Sequence, residues 1–202
     1  MMKANLTALA ITCLLATPAA MAVDITLLGG YQYGGSFKTK VETDSDESAQ
    51  SVDVESSAAY ALAIDWDIQQ SQLFGIYLSQ QSTQLEKLPD VNTDLDINYL
   101  HVTGTKYFDY DNFKTYVTAG VGATAFRPDQ SAYDDEYHFS IGIGGGWAYP
   151  INDNIWLRLE SRIFNTFLSD SAEFYCSGGC LVKVDTDYWS QLQFSAGVTA
   201  RF

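Results

Sequence analysis

Gln191-Leu192-Gln193-Phe194-Ser195-Ala196-Gly197-Val198-Thr199-Ala200-Arg201-Phe202 alternates without a break. Leu192, Phe194, Ala196, Val198, Ala200 and Phe202 are apolar, and the residues between them are polar or small. A period of two over this length describes a strand with two chemically different faces. Half-buried strands of soluble proteins usually run about 5–6 residues. A tilted strand of about 9–11 residues is what crosses a bilayer. The apolar face of this strand then meets lipid, and Gln191, Gln193 and Arg201 point into an enclosed interior.

Seven earlier segments carry the same character: residues 25–37, 54–65, 73–83, 95–108, 113–126, 137–149 and 155–168. With 188–202 they make an even number of strands. The connections alternate between short (66–72, 109–112, 150–154) and long (38–53, 86–94, 127–136, 169–187). Short turns on one side and longer loops on the other are the pattern of outer-membrane barrels. Backbone groups inside a bilayer find hydrogen bonds only in helices or closed barrels, and no stretch of about 18 apolar residues is available for a helix. The expected fold is therefore all-β: an eight-stranded, antiparallel, up-and-down transmembrane barrel with both mature termini at the short-turn, periplasmic side. In the fourth strand Leu95, Ile97 and Tyr99 share one parity while Leu100, Val102 and Phe108 share the other. Its lipid face stays unassigned, and a bulge would reconcile the two halves.

The N-terminus reads as a secretory leader. Lys3 is followed by an apolar run from Leu6 to Ala16, then Pro18 and the small-x-small site Ala20-Met21-Ala22. Residues 1–22 are the expected signal peptide and 23–202 the expected barrel domain. Cys176 and Cys180 flank Ser-Gly-Gly and are expected to form a disulfide in an exported protein. A net charge of −14 argues against binding nucleic acid through its phosphates. Aromatic residues make up 14% of the chain. They cluster at strand ends, as the two girdles of a bilayer barrel would. Trp66, Tyr107, Phe108, Tyr110, Phe113, Trp147, Tyr149 and Trp156 flank the short turns. Tyr33, Phe37, Tyr133, Tyr137, Tyr175, Tyr188 and Trp189 lie toward the long loops.

Charge on a lipid face costs several kcal/mol, so Arg158, Glu160 and Arg162 are assigned to the lumen with Gln191, Gln193 and Arg201. Glu55, Asp65 and Lys106 are further candidates. Eight strands leave an interior that side chains can fill, so these residues are read as a polar plug, with a narrow ion path as the alternative. Gly142-x-Gly144-Gly145-Gly146 has no following helix and is read as strand structure, not as a phosphate loop. The acidic stretches, with Glu42, Asp44, Asp46, Glu47 and Asp53 in one and Asp129, Asp134, Asp135 and Glu136 in another, lack a calcium-loop pattern and are read as solvated surface. No cofactor or metal is expected.

A chain ending on such a strand with a terminal aromatic resembles the bacterial outer-membrane β-barrels. The resemblance implies that the last strand and Phe202 are read by the barrel assembly machinery. Over residues 23–202 the pattern is similar to the small opacity-protein and OmpX-like members of the porin family. It implies an integral protein of a Gram-negative outer membrane, surrounded by lipid and lipopolysaccharide. Its surface loops are then antigen-like and suited to an extracellular ligand or cell surface. His138-Phe139-Ser140 resembles part of the lipid A 3-O-deacylase site, with Glu136 on the same face. Ile141 stands where that family has Asn, and the alternation turns His138 and Ser140 inward. No catalytic residue is assigned. The expected role is structural or surface interaction. A narrow channel for small solutes or ions is the alternative, and a lipid A-modifying hydrolase comes third.

Overall fold

Period-two patterning yields strands throughout. The structure, a computed structural model, describes residues 22–43, 46–86, 94–128, 135–168, 173–175, 181–184 and 188–202, and no helix occurs among them. Eight long strands close on themselves. They are β1 (Val23–Tyr33), β4 (Ser57–Gln69), β5 (Gln72–Glu86), β6 (Asp94–Asp109), β7 (Lys114–Pro128), β8 (Glu136–Pro150), β9 (Ile155–Phe167) and β12 (Tyr188–Arg201). Each pairs antiparallel with its neighbours, and β12 closes the ring on β1. This is the eight-stranded barrel expected from the sequence.

The stagger of the barrel follows from the register. Cα partners lead from Val23 to Trp66, Phe74, Gly104, Ala119, Ile143, Ile163 and Leu192, and return to β1 at Tyr33. The circuit comes back ten residues along the strand on which it began. Such a shear tilts the strands by about 40° and leaves an interior that side chains fill.

Outward positions are apolar and exposed along every barrel strand, among them Leu27, Leu100, Val121, Ile143, Leu159 and Val198. In β6 the ambiguity resolves cleanly. Leu95, Ile97 and Tyr99 point inward, and Leu100, Val102 and Phe108 face out. No bulge is needed, because the register of β6 runs without a shift against both β5 and β7. An interior that takes aromatic and aliphatic groups makes both faces of the strand look hydrophobic. The one register shift in the barrel is at Asp67/Gln69 of β4, beside the two-residue turn Gln70-Ser71. The second strand therefore runs from Ser57 to Gln69 instead of over 54–65.

Several expectations need correction. Residues 38–53 are not an open loop: β2 (Ser36–Thr43) and β3 (Asp46–Val54) form a hairpin, joined to the far end of β5 through Asp53↔Glu86 and Val54↔Leu85. Within 169–187, β10 (Glu173–Tyr175) and β11 (Leu181–Val184) extend this sheet, with β11 paired to β2. An acidic composition suggested loop, but the barrel edge offers a template whose hydrogen bonds offset the ordering cost. Glu55 lies exposed between β3 and β4, outside the lumen, because the second strand begins after it. Lys106 shares the outward parity of Phe108, near the turn where its amine reaches water.

Both aromatic girdles are present. Phe108, Tyr110, Trp147 and Tyr149 are exposed at the short-turn end, and Tyr31, Tyr33, Tyr137 and Tyr188 toward the long loops. Tyr107, Trp156 and Trp189 instead turn into the barrel, since their strand parity points inward. The side chains of Phe37, Tyr133 and Tyr175 lie outside the described residues.

Candidate functional site

Among the described residues, the lumen concentrates buried polar chemistry. Inward positions of β9 are even-numbered, so Arg158, Glu160 and Arg162 stack along one line at the short-turn half of the interior. The Glu160 side chain has no solvent exposure. Its carboxylate accepts hydrogen bonds from Arg158 Nη2, Arg162 Nε and the Tyr116 hydroxyl, each at 2.8 Å. Arg158 Nε donates in turn to the Tyr116 oxygen at 2.8 Å, and Arg158 Nη1 lies 3.5 Å from Asp65. The guanidinium groups also sit over aromatic rings, Arg158 over Tyr116 at 4.3 Å and Arg162 over Tyr77 at 3.9 Å. Buried charge is tolerable only when paired and hydrogen-bonded in this way.

The residues singled out in the sequence fall into three groups. Arg158, Glu160 and Arg162 come together. Gln191 and Gln193 belong to the next layers: Gln191 bonds Gln32, accepts from the Tyr99 hydroxyl at 2.6 Å and donates to Gln81 at 3.0 Å. Gln193 accepts from Tyr77 at 3.3 Å. Arg201 is apart from both, clamping Asp24 through two hydrogen bonds of 2.7 and 2.6 Å at the mouth of the barrel. There Arg201, Asp24, Asp67, Asp109 and Lys114 surround a vestibule of about 500 Å³. Beyond the charged layer, Phe164 stacks on Tyr99 at 4.0 Å, and Trp189, Phe126, Ile97 and Leu95 close the long-loop half.

The chemistry considered for β8 is not assembled. His138 Nε2 lies 3.2 Å from Glu136, whereas the Ser140 hydroxyl meets His101 Nε2 at 2.8 Å. Ser140 and His101 are fully buried in the lumen. His101, Asp24, Tyr77, Tyr99, Tyr116 and Phe164 are lumen residues that the sequence pattern did not single out. For Asp24, Tyr77 and Tyr116 the available signal was parity, since each sits on the inward period of its strand. Phe202 is exposed, and its backbone exchanges hydrogen bonds with Val23 at 3.0 and 3.3 Å. Cys176 and Cys180 lie outside the described residues.

The sequence profile of the Outer membrane protein beta-barrel domain family matches residues 6–202. The chain belongs to this family. No curated protein matches it. Among solved structures, this family member superposes on Neisserial surface protein A with a TM-score of 0.59 at 15% identity, over 90% of this chain and 99% of that one. It is also similar to OprG of Pseudomonas aeruginosa, with a TM-score of 0.61 at 15% identity, over 90% and 97% of the two chains. The outer membrane protein AlkL gives 0.54 at 11% identity, over 89% and 90%. At these identities the likeness is one of fold; it is membership of the family that makes the chain an outer-membrane barrel.

Proposed function

We propose that this outer-membrane barrel is a plugged scaffold that acts through its long-loop end, in a structural or surface-interaction role, and is neither an open pore nor an enzyme. One observation carries the reading: the Arg158–Glu160–Arg162–Tyr116 layer followed by the Phe164–Tyr99 stack, two consecutive layers of buried side chains within one narrow lumen. Planar-bilayer recording of the refolded protein tests it. A silent trace is expected, and stepwise conductance would favour a narrow channel. The vestibule of about 500 Å³ at the short-turn mouth is what supports that second reading, because it already admits water to one side of the charged layer.

Residues 1–22 act as a cleaved leader, 23–202 form the mature barrel, and both mature termini face the periplasm. The hairpin β2–β3 with β10 and β11 then projects from the cell surface, where an extracellular ligand or another cell is the partner. A disulfide between Cys176 and Cys180 is part of the same proposal. Phe202 serves as the mark read by the assembly machinery, and its exposed ring supports this.

A further inference from the structure

The outer face of the barrel changes chemistry along one row. Tyr60, Gln80, Asn98, Ala125 and Tyr137 are successive cross-strand partners from β4 to β8, all pointing outward. One row nearer the short turns, the same strands present Leu62, Leu78, Leu100, Ala123 and Phe139. One row beyond, Ser82 bonds Asp96 at 2.6 Å and Arg127 pairs with Asp135 at 3.2 Å. Because Ala123 and Ala125 are small, the wall sinks between Tyr60 and Tyr137 into a groove of about 730 Å³, floored by Leu62, Leu78 and Leu100.

Height places this groove. Asn98 lies ten residues from Phe108 on β6, roughly 25 Å of height at about 3.3 Å per residue and a tilt of about 40°. The apolar band of such barrels is about 25 Å tall. Gln80 and Asn98 therefore stand side by side where hydrocarbon ends, and neither amide has a hydrogen bond to another described residue. Polar groups at that depth need partners.

We propose that this groove seats one phosphorylated saccharolipid of the outer leaflet, the lipid A portion of lipopolysaccharide. This rests on placing the long-loop end outside. Two carboxamides offer both donors and acceptors. The ester linkages of a glycerophospholipid only accept, and would leave the amide oxygens unmet. Amide-linked, hydroxylated acyl chains supply N–H and O–H donors as well as carbonyls, at the height where the acyl linkages lie. Arg127 caps the upper end of the groove and is the cation among its lining residues, suited to a sugar phosphate. Leu62, Leu78 and Leu100 face the acyl chain below.

Native mass spectrometry decides the matter on protein refolded without lipid, then offered lipid A with its inner-core sugars or phosphatidylethanolamine in equal amounts. The intact barrel is expected to retain lipid A at least ten-fold over the phospholipid. Ala123→Phe, which fills the groove, and the pair Gln80→Leu with Asn98→Leu are each expected to abolish that preference. A heat-modifiable gel band shows that each variant is folded, and if Ala123→Phe does not fold, the leucine pair decides alone. Equal retention of both lipids by the intact protein, or an unchanged preference in a folded variant, overturns the proposal. Protease shaving of intact cells reads the orientation separately. Cleavage of the long loops supports the outer-leaflet placement, and cleavage only after lysis removes it and the site with it.

Discussion

Glu160 carries more of this molecule than any other side chain described. It accepts three hydrogen bonds from buried donors, two of them charged. Glu160→Ala strands the Arg162 guanidinium in the lumen and leaves Arg158 with Asp65 as its acidic partner. Breaking a buried pair in this way costs about 3–5 kcal/mol. A lower urea midpoint, read by tryptophan fluorescence in micelles, is the expected outcome. Phe164→Ala removes the ring stacked on Tyr99, and a loss of about 3–5 kcal/mol is expected by the same measurement. The Arg158-x-Glu160-x-Arg162 run was legible because all three residues sit on one strand at one parity. The pairing of Ser140 with His101 was not, since 39 residues separate them and only the register of β6, β7 and β8 brings them to one level. The Gln32–Gln191 contact spans 159 residues and was hidden for the same reason.

Strands were readable where their two faces differ in polarity and unreadable where they do not. The eighth strand declared itself, because Gln, Ser and Thr fill its inner face. The fourth did not, because Ile97 and Tyr99 inside are as apolar as Leu100 and Val102 outside. The outer hairpin was missed because polar and acidic residues dominate its two strands, which pair mainly with each other. Two substitutions test this level. Val121 faces lipid midway along β7, so Val121→Arg is expected to cost about 2–4 kcal/mol in a bilayer unfolding titration. Gly122, its neighbour, points inward, and a Cβ there would fall 1.9 Å from the Leu100 carbonyl oxygen and 2.8 Å from the His101 ring. Gly122→Ala is expected to destabilise by about 1–3 kcal/mol, measured as a shift in the same titration.

Closure of the barrel does not run through its projecting sheet, which joins it at β5. β1 pairs with β4 from Val23↔Trp66 to Gln32↔Ser57 and with β12 from Asp24↔Arg201 to Tyr33↔Leu192, with no contribution from β2 or β3. Replacing residues 38–51 by a short polar turn is therefore expected to leave a heat-modifiable band on a gel, whereas a single unshifted band would show that closure needs the hairpin. Strand number and closure were legible because the bilayer fixes strand length. The shear was not, because it depends on eight registers at once. The seam between Val23 and Phe202 has a separate consequence. Their mutual backbone hydrogen bonds close the strand order into a ring. A circular permutant, with the two ends joined by a short linker and new ends opened within residues 151–154, keeps every barrel pairing while moving Phe202 away from the end of the chain. Refolding in detergent together with failure to reach the membrane in cells would separate what closes this barrel from what delivers it.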